Sequence, residues 1–237
     1  MKASTFSVLL LLLFSAASHA ANWSDFSLSY LNGSNYQVGD NDRQILTLEH
    51  AAGLSWGNTF TFVDRLEYDD GTNETYGEIG ARYKLKNVHY SFVKTLYLAG
   101  QVEMGTRSNP DGTGSSFTNY LFGIGSDLTV PGFNFFQLNL YARNNERTDD
   151  NYQATFVWSI PLGPLDYGGF LDWASAPDQT RSTSFNLTSQ LTYDIAPHIG
   201  LTDGKLKLGI EYVYWTNKFG LAFADERNVN LLVKYHF

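Results

Sequence analysis

Read backwards from its C-terminus, the chain alternates apolar and polar side chains. Val229, Leu231, Val233, Tyr235 and Phe237 share one parity; Asn228, Asn230, Leu232, Lys234 and His236 share the other. A period of two is the mark of a strand with one apolar face, whereas a helix would repeat every three to four residues. The same alternation sets Leu206, Leu208, Ile210, Tyr212 and Tyr214 against Lys207, Gly209, Glu211, Val213 and Trp215. It recurs at Phe185, Leu187, Leu191 and Tyr193, and at Tyr152, Ala154, Phe156, Trp158 and Ile160. Twelve strands are predicted in this way, near 23–31, 43–52, 57–69, 74–86, 93–104, 117–129, 133–144, 151–161, 165–174, 182–194, 204–217 and 226–237. The second, third and fifth alternate least cleanly.

The connections fall into two sets. Polar and mostly longer segments lie at 32–42, 70–73, 105–116, 145–150, 175–181 and 218–225. Compact ones alternate with them and carry Pro131-Gly132, Pro161-Leu162-Gly163-Pro164 and Pro197. All six prolines are read as belonging to the connections, Pro161 at the boundary it shares with the eighth strand, where a missing ladder donor is tolerated. Long loops at one end and tight turns at the other is the asymmetry of an outer-membrane barrel, with the longer set facing outward if the N-terminus is periplasmic. Tyr30, Tyr68, Tyr83, Tyr120, Tyr152, Tyr167, Trp173, Tyr193, Tyr214 and Phe237 sit near strand ends on the apolar parity. Rings there suit the headgroup level on both sides of a bilayer. The fold expected is all-β: a twelve-stranded antiparallel transmembrane barrel enclosing its own lumen. A secreted β-sandwich shares the same period and is the alternative.

The first twenty residues change where the chain is expected to be. Lys2 precedes the apolar run Phe6–Phe14, and Ser18-His19-Ala20 offers a cleavage site, so 1–20 reads as a secretory signal peptide and 21–237 as the barrel domain. No later stretch reaches the roughly 20 apolar residues of a spanning helix. An exported chain of this kind enters a membrane only as a closed barrel. Composition narrows the chemistry. The chain has no cysteine, which excludes disulfides, thiol nucleophiles and Cys-zinc sites. With 16 Lys+Arg against 24 Asp+Glu the net charge is −8, unsuited to a nucleic-acid polymer as partner. The five histidines are scattered, so no metal site and no cofactor is expected.

The second parity is expected to line the lumen. It carries Asp25, Glu49, Glu67, Glu78, Glu103, Asp127, Asp166, Asp172 and Glu211 among acids. Its bases are Arg43, Arg65, Arg82, Lys84, Arg107, Arg143, Lys207 and Lys234. Ion pairs across a narrow lumen would satisfy them, since unpaired charges are costly there. Tyr76, Tyr97, Phe135, Tyr141, Phe170 and Trp215 share this face. Rings in a polar bore either plug it or offer planes on which flat solutes stack, at about 1–3 kcal/mol per base. Neighbouring carboxylates would accept hydrogen bonds from sugar hydroxyls or exocyclic amines. The candidate solute-binding residues are Tyr97, Tyr141, Phe170, Asp172, Glu211 and Trp215.

Four segments carry a resemblance. Residues 122–143 (FGIGSDLTVPGFNFFQLNLYAR), 169–173 (GFLDW), 209–220 (GIEYVYWTNKFG) and 230–237 (NLLVKYHF) resemble the Tsx/OmpK family of outer-membrane nucleoside-specific channels. The N-terminal half matches only in its barrel pattern. The resemblance implies a narrow twelve-stranded barrel that passes nucleosides by facilitated diffusion, sits among outer-membrane lipid and lipopolysaccharide, and lends its outer loops to phages or bacteriocins. Two other readings remain open. One is a structural or receptor barrel with a plugged lumen. The other is a wall-embedded lipid hydrolase built on His89-Tyr90-Ser91, which lies on the compact-turn side and lacks the Asn-Gly of lipid-A deacylases. Asp40, Asp42, Asp69, Asp70, Asp111, Asp149, Asp150, Asp178 and Asp225 fall at outer tips, where they solvate the rim or bridge lipopolysaccharide through divalent ions.

Overall fold

The structure, a computed structural model, describes residues 21–237, without the side chains of 89 and 90. The segment read as a signal peptide lies outside the described residues. Twelve strands follow in chain order: β1 (Ala21–Gly33), β2 (Arg43–Leu54), β3 (Gly57–Tyr68), β4 (Asn73–Tyr90), β5 (Val93–Ser108), β6 (Gly114–Leu128), β7 (Phe135–Asn144), β8 (Asn151–Leu162), β9 (Leu165–Ala174), β10 (Ser184–Asp194), β11 (Leu206–Thr216) and β12 (Glu226–His236). Each pairs with its sequence neighbour, and β1 pairs antiparallel with β12 from Ser27 opposite His236 to Asn32 opposite Leu231. The ring closes, so no strand edge is left to seek a partner, which is what a bilayer demands of a sheet. The sandwich alternative is thereby displaced.

The burial pattern is that of a soluble protein turned inside out. On β12, Val229, Leu231 and Val233 point outward and are exposed, while Asn228, Asn230 and Leu232 point inward and are buried. Apolar groups on the outer wall meet hydrocarbon, and polar groups meet one another across the lumen. Tyr30, Tyr83, Tyr120, Tyr152, Trp173, Tyr193 and Phe237 are exposed on the outer wall, as the ring girdles require. The start of β1 and the end of β12 lie at the same end of the barrel as the compact turns at 55–56, 91–92 and 163–164. The β8–β9 hairpin turns through Gly163 at φ +64, a left-handed conformation that glycine adopts without a Cβ penalty.

Four expectations are corrected. The segment 105–116 is mostly strand: β5 runs to Ser108 and β6 begins at Gly114, leaving only 109–113 as loop. The sixteen residues of β5 raise that hairpin beyond its neighbours. Pro161 is not in a connection but is the penultimate residue of β8, opposite Asp166, at a strand end where one lost donor is tolerated. His89 and Tyr90 close β4 rather than forming a loop, after register shifts between Lys84/Lys86 and Asn87/Tyr90. The fourth concerns β3, whose parity is reversed. Tyr68 is buried opposite Arg43 on the lumen side, and Arg65 and Glu67 face outward, with their side chains 45% and 70% exposed. At the rim, beyond hydrocarbon, charged outward residues cost little, whereas Tyr68 gains the Arg43 guanidinium, 4.5 Å above its ring.

Candidate functional site in the barrel lumen

The lumen wall is built by alternation, so each functional side chain is set by the register of two ladders. Its charges are largely paired. Arg143 on β7 meets Glu103 on β5 at 2.5 Å, and Asn119 donates to the same carboxylate at 3.1 Å. Arg82 meets Asp127 at 2.8 Å, Lys234 meets Glu49 at 2.5 Å, Arg107 meets Glu74 at 2.8 Å and Lys207 meets Asp166 at 2.6 Å. His236 contacts Asp25 at 2.9 Å at the compact-turn end. These pairs satisfy the expectation of a mixed-charge lumen in which charges neutralise one another.

Four luminal carboxylates take neutral partners instead. Asp64 accepts from the Thr47 hydroxyl at 2.6 Å. Glu78 accepts from Tyr76 at 2.5 Å and Gln101 at 2.7 Å. Asp172 accepts from Thr155 at 2.5 Å and Gln153 at 3.4 Å. Glu211 accepts from Gln190 at 2.8 Å and Asn230 at 3.1 Å. None of the four forms an ion pair among the described residues. Together they make the middle of the lumen acidic.

The six candidate residues all lie on the inward parity. Trp215 donates its indole N–H to the Ser184 hydroxyl at 2.8 Å, with the Lys218 ammonium 5.0 Å over its ring and Phe219 packed edge-on. Phe170 and Asp172 stand two residues apart on β9, opposite Thr188 and Asn186 of β10. Asn186 also pairs with Trp215, so Asp172 and Trp215 flank one residue and share one level of the wall. Glu211 lies two inward positions below Trp215 on the same strand, four residues along. Tyr97 and Tyr141 are deeper in the opposite wall. Tyr97 donates to Asp127 at 2.6 Å beneath the Arg82 guanidinium, which is 4.0 Å from its ring. Tyr141 is buried with Ala99 and Leu121. Phe170, Asp172, Glu211 and Trp215 thus form one group on β9–β11, and Tyr97 and Tyr141 a separate one on β5–β7.

An aromatic ladder escaped the sequence reading. Phe60, Phe62, Tyr76 and Phe117 follow one another across β3, β4 and β6, with successive ring centroids 5.9, 5.7 and 6.3 Å apart. Asp64 and Glu78 flank it, and it faces the β9–β11 group across the lumen. The sequence reading places Tyr76 inward and names none of Phe60, Phe62, Asp64 and Phe117. Pairing outward from the Leu54–Gly57 hairpin is the signal that finds them, because it sets Phe62 opposite Glu49 and Asp64 opposite Thr47. Ser91 lies in the tight turn after β4 with a left-handed φ of 58, at the compact-turn end, away from this ladder. Three outer-tip acids cap their own turns: Asp70 accepts from Thr72 N–H, and Asp111 and Asp178 accept from the N–H and hydroxyl of Thr113 and Thr180.

A closed twelve-stranded barrel with an apolar outer wall and a polar, ring-lined lumen is a channel former of the outer-membrane type. Comparison with known proteins gives the same class. Residues 19–237 match the family described as nucleoside-specific channel-forming protein, Tsx. The chain belongs to that family and is a bacterial outer-membrane channel protein. Among solved structures it is similar to the KdgM porin in complex with disordered oligogalacturonate, at 16% identity and a TM-score of 0.50, covering 89% of this chain and 99% of that one. KdgM porin alone gives 14% identity, a TM-score of 0.50 and the same coverage, 89% and 99%. NanC porin gives 13% identity and a TM-score of 0.49, covering 90% and 99%. At such identities the likeness concerns the fold. No match is found among curated proteins.

Proposed function

We propose that the protein passes nucleosides, or similarly flat polar solutes, by facilitated diffusion, with the long-loop end facing the cell exterior. The observation that carries this reading is the pair of facing aromatic walls with carboxylates beside them. Phe60, Phe62, Tyr76 and Phe117 stand on one side with Asp64 and Glu78; Phe170 and Trp215 stand on the other with Asp172 and Glu211. Rings accept any base by its face, while carboxylates accept hydrogen bonds from ribose hydroxyls and amines. The solute therefore steps between planes without a covalent change, and passage saturates when the planes are occupied. Membership of a family named for nucleoside-specific channels supports the same substrate class.

In planar bilayers the purified protein should give a small conductance that falls as adenosine or thymidine is added. Unaltered current at saturating nucleoside removes the substrate assignment. A receptor barrel with a filled lumen is the competing reading, and the burial of Tyr97 and Tyr141 speaks for it. Liposome swelling separates the two: permeation of nucleosides supports the channel, and no permeation alongside intact phage or bacteriocin adsorption supports the receptor.

A further inference from the structure

The connection 34–42 does not stand away from the barrel. It turns back into the long-loop mouth, where three elements hold it. Glu226, at the start of β12 and fully buried, accepts the backbone N–H of Gln37 at 2.7 Å and of Val38 at 3.4 Å. The same carboxylate meets Lys218 of the β11–β12 loop at 3.3 Å. Tyr36 donates its hydroxyl to Asn230 at 2.8 Å and is itself buried. Burial, and after it the negative charge of Glu211, raise the Tyr36 hydroxyl well above its ordinary range, so it remains a donor. Arg43 closes the seat from below. Its guanidinium lies 3.6 Å from the Tyr36 ring and 4.5 Å from the Tyr68 ring, and it donates to the carbonyls of Val38 at 2.7 Å and Asp40 at 2.8 Å.

The wall beneath is shaped for this segment. A Cβ on Gly33 would fall 2.1 Å from Asn230 Oδ1 and 2.9 Å from the Tyr36 ring, so the absent side chain is the space the ring uses. The seat also reaches the middle of the lumen, because Asn230 passes its amide N–H on to Glu211 at 3.1 Å.

We propose that segment 34–42 is a latched constriction of the outer mouth, with Glu226 as the latch, and that it limits which solutes reach the luminal rings. Glu226 is a positioning residue in this scheme and touches no solute. The role is independent of which solute passes, so its test uses salt current and thiol chemistry rather than nucleosides.

The chain has no cysteine, so one introduced thiol is the only one present. N228C places a thiol on the inward face between Glu226 and Asn230, at a residue 2% exposed. In outer-membrane vesicles a membrane-impermeant maleimide should label N228C slowly. In N228C/E226A, labelling should be about tenfold faster or more, the size expected when charge-assisted bonds holding a segment are lost. Single-channel KCl conductance of E226A should rise to about double, since passage follows the open cross-section. Y36A, a loop substitution that leaves every strand intact, should shift both readouts the same way and serves if E226A does not assemble. Unchanged labelling and conductance in a barrel that still resists detergent and trypsin overturns the proposal. Faster labelling with unchanged conductance also overturns it, because the segment would then cover the wall without narrowing the path.

Discussion

Arg143 is the substitution whose cost the lumen geometry specifies best. The Glu103 side chain is 4% exposed and that of Arg143 22% exposed, so the pair is screened little by water. R143M leaves Glu103 with Asn119 as donor and with Glu78 directly opposite on β4. Breaking a buried pair by removing one partner costs about 3–5 kcal/mol. R143M should therefore lose about 3–5 kcal/mol in reversible urea unfolding from lipid vesicles, followed by tryptophan fluorescence. Adding E103Q removes the stranded charge while keeping the Asn119 contact. The double variant should regain about half or more of the loss, because replacing a whole buried pair is often near neutral. A loss below about 1 kcal/mol for R143M would place the pair with exposed surface bridges. Additive losses in the double variant would show that Glu103 does not depend on Arg143. Either result refutes the account of the lumen as a compensated charge network.

W215A should weaken nucleoside block of the current by about 5- to 150-fold, the equivalent of one lost stacking plane, while W215F should retain most of it. An unchanged blocking constant takes Trp215 out of the solute path. The reversed parity of β3 is checked by thiol labelling in vesicles: R65C should react readily with an impermeant maleimide and Y68C should not, and equal rates contradict the register. Asp111 and Asp178 have pKa values held below the ordinary carboxylate range by the hydroxyls and N–H groups of Thr113 and Thr180. A depressed folded-state pKa means that the turn is stabilised above the unfolded pKa and loses that support as pH falls through the folded one. Amide resonances of Thr113 and Thr180 should thus stay fixed from neutral pH down to about 4 and move only in stronger acid; movement between about pH 5 and 7 contradicts the capping.

Much of the barrel was legible because alternation is a local signal with a global meaning. Once Val229, Leu231 and Val233 share a parity, one closed sheet puts the whole parity in hydrocarbon, and the strands from β4 to β12 follow. The inward placement of Phe170, Asp172, Glu211 and Trp215 was legible for the same reason. On β3 the signal failed for a physical cause. Its inward residues are Phe60, Phe62, Leu66 and Tyr68 around one carboxylate, and its outward ones include Arg65 and Glu67. Apolarity therefore points the wrong way along it, and only the tight turn at 55–56, which fixes register with β2, corrects it. Charge alone cannot distinguish the lumen from the rim, because both admit it.

The mouth was illegible for a different reason. Tyr36, Gln37 and Val38 belong to a segment that reads as a solvated loop, polar and glycine-bearing. Their place inside the barrel depends on Glu226 and Asn230, nearly the whole chain away in sequence and adjacent only because β1 and β12 close the ring. No periodicity encodes a contact made by barrel closure. What the sequence does hold is its trace: an acid and two asparagines, Glu226, Asn228 and Asn230, on the inward parity of the last strand, with a glycine at position 33 on the facing end of the first. Buried polar groups of this kind need partners, and in a closed barrel those partners come from the strand ends and loops that closure brings beside them.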